Sequence, residues 1–113
     1  MADLIEAIKK MKYRKWFIFG VRTEGFHALQ RMEERNLSMK DIRYILEKGE
    51  LIADIKYDME MICCIGKLHG EFFTLVLRPL MESKAWSLYT VRPSNDNEKR
   101  DFKKLKREKR LEK

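Results

Sequence analysis

Apolar positions recur along this chain with two different periods. Leu4, Ile5, Ile8 and Met11 fall at helical spacing after Asp3, which stands three residues before Glu6 in a capping-box-like start. A first helix is therefore expected from Leu4 to about Lys12, its cap at Asp3. The next segment, YRKWFIFGVRT, is dense in aromatic and β-branched residues and fits either a short strand or an apolar connector that docks this helix. Thr23 can cap a second helix running to about Arg35, and Asn36 tolerates the left-handed geometry that follows helix ends. Ser38 followed by Asp41 resembles a capping box, Met39, Ile42, Ile45 and Leu46 form one apolar face, and Gly49 sits where a C-terminal cap is expected. These two segments make a short helical hairpin.

From Leu51 the period becomes strand-like in LIADIKY, EMICCIGKL, FFTLVLR and AWSLYTVR, with turn signals between them. His69-Gly70 lies inside KLHGEF, where Gly permits positive φ, so the second and third of these strands should form a tight hairpin and His69 belongs to its turn. PLMESK is longer and polar, as expected of a mobile loop. After Pro93 the composition shifts: the last twenty residues hold nine Lys/Arg against five Asp/Glu. Asp96 or Asn97 could cap a helix there, with Phe102 and Leu105 docking its first turns. The like-charge pairs Arg100/Lys104, Lys103/Arg107 and Lys106/Arg110 oppose helicity by roughly a few tenths of a kcal/mol each. The segment reads either as a solvated helix or frayed tail, or as an anion-binding arm that orders on its partner. The pattern predicts an α+β fold, with N-terminal helices packed on a four-stranded antiparallel sheet and a C-terminal basic helix. A chain of 113 residues makes one domain, its core about residues 23–102, with an N-terminal helix at 3–12 and a basic tail at 103–113.

Charge narrows the partners. Lys+Arg 25 against Asp+Glu 18 leaves a net charge of +7, which favours nucleic acid or an acidic protein over a cationic substrate. No apolar run has signal-peptide length or approaches the roughly 20 residues of a membrane span, so a cytoplasmic location and no membrane partner are expected. Cys63 and Cys64 are adjacent, lack the paired spacing of a zinc site and would point to opposite faces of a strand, as reduced core fillers. No metal site and no cofactor are expected, since the chain has no glycine-rich phosphate loop, HExxH, GxSxG or four-ligand cluster.

What remains is basic and hydroxylic. On a helix at ~100° per residue, His27, Arg31 and Arg35 fall within an arc of about 80°, a stripe suited to a phosphate. Arg78, Tyr89, Thr90 and Arg92 stand at or near strand ends. Metal-free phosphodiester cleavage by 2′-hydroxyl attack needs a base, donors for the phosphoryl oxygens and an acid for the leaving 5′-oxygen. Like-charge repulsion from flanking arginines biases His27 toward its neutral, basic form. The arginine forks match phosphate oxygens in pairs. Tyr89 could donate a hydrogen bond, stack on a base or serve as the acid. Arg31 can also pair with Glu34 at i+3, which would make the stripe an ordinary wet helix face. On an ideal strand Tyr89 and Arg92 point to opposite faces unless a bulge intervenes. The catalytic reading requires His27 and Arg92 to converge on one concave surface.

The run HALQRMEERNLSMKDIRYILEKGE, followed by IGKLHGEFFTLVL and closed by LYTVRPSNDNEKRDF, resembles a domain family of unknown function. Its pattern is a histidine, an arginine one turn later, an ER pair and a last strand ending in T-x-R-P. The chain is also similar to the BrnT toxins, which share the helix before the sheet, an IG…HG hairpin and an arginine-rich turn with an E-R-x-x-Y/F helix start. The resemblance spans His27 to Phe102, about two-thirds of the chain. It implies a small RelE-like fold and an RNA-cleaving or translation-blocking toxin of a type II toxin-antitoxin system, held by a cognate antitoxin. Carried over by residue, it implies roles for His27, Arg31, Arg35, Thr90 and Arg92. The chain departs from the pattern at Lys99, where the toxins have arginine; Arg100 is the candidate to replace it.

The leading expectation is a metal-independent endoribonuclease acting on RNA, free or on the ribosome, with His27, Arg31, Arg92 and Tyr89 as catalytic candidates. Arg35, Arg78, Thr90, Arg100, Lys103, Lys104 and Arg107 are the candidates for binding RNA phosphates. The rival is a non-catalytic basic module that binds nucleic acid or an acidic protein, with affinity falling steeply in salt.

Overall fold

The computed structural model describes residues 7–8, 10–11, 13–21, 28–53 and 61–111. A 3-10 turn at Tyr13–Lys15 leads into β1 (Phe17–Val21). Two helices follow, α1 (Ala28–Glu34) and α2 (Met39–Lys48), then β2 (Glu50–Ala53), β3 (Ile62–Leu68), β4 (Glu71–Leu80), β5 (Ala85–Pro93) and α3 (Asp96–Leu111). The expected first helix falls largely outside the described residues; within it Ala7 and Ile8 are helical and Ile8 is fully buried. The expected cap Thr23, and residues 54–57 of the first predicted strand, also lie outside them.

Strands β2 to β5 form the anticipated antiparallel sheet. YRKWFIFGVRT, left open between strand and connector, supplies both a 3-10 turn and a fifth strand: β1 pairs parallel with β5, giving the order β1-β5-β4-β3-β2. The sheet is thus five-stranded and mixed. Placing β1 beside β5 covers an edge that would otherwise expose unpaired backbone groups.

Local chemistry accounts for most boundaries. Asn36 has φ 57, and the bonds Asn36 N–H to Glu33 O (3.1 Å) and Leu37 N–H to Met32 O (2.8 Å) close α1 as a Schellman motif. Ser38 and Asp41 form the expected capping box, with Asp41 N–H donating to Ser38 Oγ and Ser38 N–H to Asp41 Oδ2. Met39, assigned to the apolar face, is instead exposed, since at ~100° per residue it lies at the margin of the face that Ile42, Ile45 and Leu46 bury. The β3–β4 hairpin turns through His69 (φ 50) and Gly70 (φ 84), both left-handed as a two-residue type I′ turn requires. PLMESK is not a long mobile loop. Strand β4 runs on to Leu80, Pro79 pairs with Trp86, and Met81–Lys84 make a tight turn closed by Lys84 N–H to Met81 O.

Gly49 ends α2 in an extended conformation (φ −85), not a left-handed one, so its role is space. A Cβ there would lie 2.5 Å from the carbonyl oxygens of both Ile45 and Ile65, and one on Gly66 would lie 2.7 Å from Ile45 Cγ2. The two glycines let α2 lie directly on β3. With no Schellman turn, the last α2 carbonyls are met by cations: Arg14 donates to Glu47 O and Gly49 O, and Lys106 to Lys48 O. Both cations also flank the fully buried Glu50 carboxylate, at 3.7 and 3.3 Å. This carboxylate joins the 3-10 turn, the start of β2 and α3.

The sheet has a layer on each face. On one, Ala28 and Met32 of α1 and Ile42, Ile45 and Leu46 of α2 pack on Cys64, Leu75, Leu77, Trp86, Leu88 and Val91. Trp16 and Trp86 bring the N-terminal segment into this core, their indole N–H groups donating to Met11 O and Tyr13 O. On the other face, Met61, Cys63, Val76 and Tyr89 form a second buried cluster. There Phe102 of α3 meets Phe72 edge-on at 5.5 Å. No helix among the described residues is long and apolar enough to cross a membrane.

Candidate nucleic-acid interface

The C-terminal helix is built outward from the end of β5. Asn95, not Asp96 or Asn97, is its cap: Glu98 N–H donates to Asn95 Oδ1 (2.8 Å) and Asn95 N–H to Glu98 Oε1 (2.9 Å). Only Asn95 stands three residues before a glutamate, the spacing at which both bonds close. Arg92 then grips the same carboxylate with both arms, Nη1 to Oε1 at 2.6 Å and Nη2 to Oε2 at 2.8 Å. Burial works to raise the pKa of Glu98. The hydrogen bonds from Arg92 and the Asn95 backbone, the Arg92 charge and the Thr74 hydroxyl outweigh it and leave the carboxyl below its usual range. Thr74 Oγ1 and Ser94 Oγ, 2.8 Å apart, tie the same corner to β4.

From this corner α3 presents two opposite stripes. Glu98 is buried, and Phe102, Leu105 and Lys106 are half-buried toward the sheet. Arg100, Lys103, Lys104 and Arg107 are all exposed, and at ~100° per residue they share an arc of about 100°; Lys103 stands at its margin, its Nζ 5.8 Å from the centre of the Phe72 ring. The like-charge pairs do not prevent the helix, because the capping box, the Arg92 clamp and the docked Phe102 hold it. The expected pair Lys106/Arg110 includes a side chain outside the described set.

The other candidates are dispersed. His27 lies outside the described residues. Arg31 is exposed and pairs with Glu34 at 2.8 Å; its hydrogen bond, then that of Gln30, lowers the pKa of Glu34. Tyr89 is the extra residue of a β-bulge, since Val76 pairs with Thr90 and Leu77 with Leu88. The bulge shifts the alternation, so Tyr89, Thr90 and Arg92 share the α3 face while Leu88 and Val91 share the helical-hairpin face. Tyr89 is only 5% exposed, in the second cluster, and Thr90 is half-buried. Arg78 is exposed and, by alternation, on the α3 face opposite Ser87. Arg31 and Arg92 belong to layers separated by the sheet; the convergence of His27 with Arg92 that the catalytic reading requires falls on a residue outside the described set.

One cleft carries chemistry that the sequence reading did not gather. It is a cavity of about 400 Å³ between the α1–α2 junction and the β3–β4 hairpin, with Arg35, Asp41, His69 and Glu71 among its lining residues. The signal available in sequence was HGE directly after a strand, absorbed there by the turn it also encodes. Among the described residues, no group of His, Cys, Asp and Glu side chains is placed to hold a metal ion.

The family described as a domain of unknown function (DUF4258) matches residues 25–80. That span includes α1, α2 and β2 to β4, and stops before β5 and α3. Comparison with curated proteins found no match, and neither did comparison with solved structures.

Proposed function

We propose that this protein is an RNA-binding module that grips phosphates through the outer stripe of α3. The observation that carries the reading is the set of exposed cations Arg100, Lys103, Lys104 and Arg107 on one side of a helix whose other side is anchored. A fixed row of cations about 10 Å long meets successive phosphates without paying to order a tail. The test is fluorescence anisotropy with a 20-nucleotide RNA. Neutralising all four positions to Gln should weaken binding at least tenfold in moderate salt, and equal binding would reject the reading. Deleting residues 94–113 is a poor substitute, because it removes Ser94 and Glu98 from the fold as well as the charges.

A second reading is a toxin-like, metal-independent endoribonuclease of a type II toxin-antitoxin system, acting in the cytoplasm with a cognate antitoxin as partner. It is supported by the ordered resemblance to BrnT and RelE-like toxins, and by the presence of Arg35, one of its candidates, in the polar cleft. Growth arrest on overproduction, relieved by an adjacently encoded protein, is its expected outcome. Arg92 and Tyr89 enter this reading as supports of the fold, given the Glu98 clamp and the burial of Tyr89.

A further inference from the structure

We propose that the cleft between the α1–α2 junction and the β3–β4 hairpin is a ribonucleolytic site in which Glu71 is the general base, His69 the general acid and Arg35 the phosphate ligand. The inference deepens the endoribonuclease reading and moves its chemistry off Arg92 and Tyr89.

Three observations carry it. All three residues line one cavity of about 400 Å³, within the range of small-ligand sites. None of the three makes a side-chain hydrogen bond or ion pair among the described residues, whereas Arg31 is held by Glu34, Arg92 by Glu98, and Asp41 by the backbone of Ser38. Their positions are fixed by backbone geometry: Arg35 follows the last turn of α1, His69 occupies the left-handed first position of the hairpin turn, and Glu71 opens β4 opposite Leu68. The chemistry is complementary. A carboxylate accepts a proton, an imidazolium donates one, and a guanidinium gathers charge on phosphoryl oxygens.

The reaction needs no other participant. The Glu71 carboxylate takes the proton of a ribose 2′-hydroxyl, and the 2′-oxygen bonds to the adjacent phosphorus. The phosphorus–5′-oxygen bond breaks, and the proton of His69 passes to the departing 5′-oxygen. Arg35 holds the non-bridging oxygens as their charge rises. The products are a 2′,3′-cyclic phosphate and a 5′-hydroxyl. Proton return from Glu71 to His69 through solvent resets the site.

The test uses the full chain with a 20-nucleotide RNA and with messenger RNA on ribosomes, each in chelator, and a DNA of the same sequence. His69→Asn keeps a side chain that accepts positive φ, and Glu71→Gln keeps the shape of Glu71, so both variants retain the turn. The wild type should cleave RNA but not DNA and leave 2′,3′-cyclic phosphate ends. H69N and E71Q should each lose at least a hundredfold in rate, while RNA affinity stays within twofold. Cleavage by either variant within threefold of wild type, or products with 3′-hydroxyl ends, overturns the assignment. RNA bound without cleavage in both settings overturns the cleft and leaves the α3 reading standing; cleavage indifferent to the four α3 substitutions does the reverse.

Discussion

Gly49 and Gly66 carry the contact between α2 and β3 by what they lack. An added Cβ at Gly66 would lie 2.9 Å from Ile45 O as well as against its Cγ2, so the helix would have to lift. Gly66→Ala should therefore cost about 1–3 kcal/mol, measured as a lowered urea midpoint with an unchanged slope. Arg92 is a second decisive residue. Arg92→Ala strands the Glu98 carboxylate, which is only 6% exposed, and should cost about 2–4 kcal/mol. The pH dependence has a fixed sign. Because the folded pKa of Glu98 is depressed, its contribution is complete above the unfolded value of about 4.3 and is lost as pH falls through the folded value. The stability gap between wild type and R92A should accordingly narrow in acid, as followed by denaturation from pH 7 down to pH 3. Sequence pattern reached Arg92 as a singular residue but not its partner, since spacing does not report which carboxylate a strand end will face.

Helices and hairpins were legible wherever the determining chemistry is local. The Ser38–Asp41 box, the Asn36 stop and the His69-Gly70 turn each depend on groups a few residues apart, and each is present. The start of α3 is equally local, but the expected caps Asp96 and Asn97 lie one and two residues past the true one, since only Asn95 stands three residues before a glutamate. Asn95→Ala should cost about 1 kcal/mol and reduce helical ellipticity, read by circular dichroism and urea titration. Elements fixed by distant partners were not legible. FIFGV reads as apolar and extended, but its parallel pairing with β5 depends on an edge about seventy residues away. Polar PLMESK hides the continuation of β4: among the described residues the pairing with β3 ends at Leu77, while the pairing with β5 runs on through Pro79 to Leu80, at the end of the strand where a proline is tolerated.

At the scale of the whole molecule, the sheet is the divide that a linear motif cannot show. Residues that line up in order along the chain, Arg31 and then Arg92, are sorted to opposite layers, while Arg35 and His69, far apart in the chain, line one cavity. A single-residue bulge at Tyr89 is enough to redirect the end of β5. The separation also has an electrostatic consequence. If α3 is the RNA contact, neutralising its four outer cations should reduce the slope of log affinity against log salt by about 3, since each phosphate contact releases roughly 0.7–0.9 counterion. His69→Asn and Glu71→Gln, which remove no phosphate-bound cation, should leave that slope nearly unchanged.

The two layers are also wired to neighbouring thiols. Cys64 lies in the core beneath α2, 3.7 Å from Ile45 O, with burial first among the causes that push its pKa up to about 12; Cys63, next in the chain, belongs to the opposite cluster with Tyr89. Adjacent sulfurs thus become separate clocks, one for each side of the sheet. In Cys63→Ala and Cys64→Ala proteins, the alkylation rate of the remaining thiol should time the opening of its own layer, and unequal rates would reveal which side loosens first.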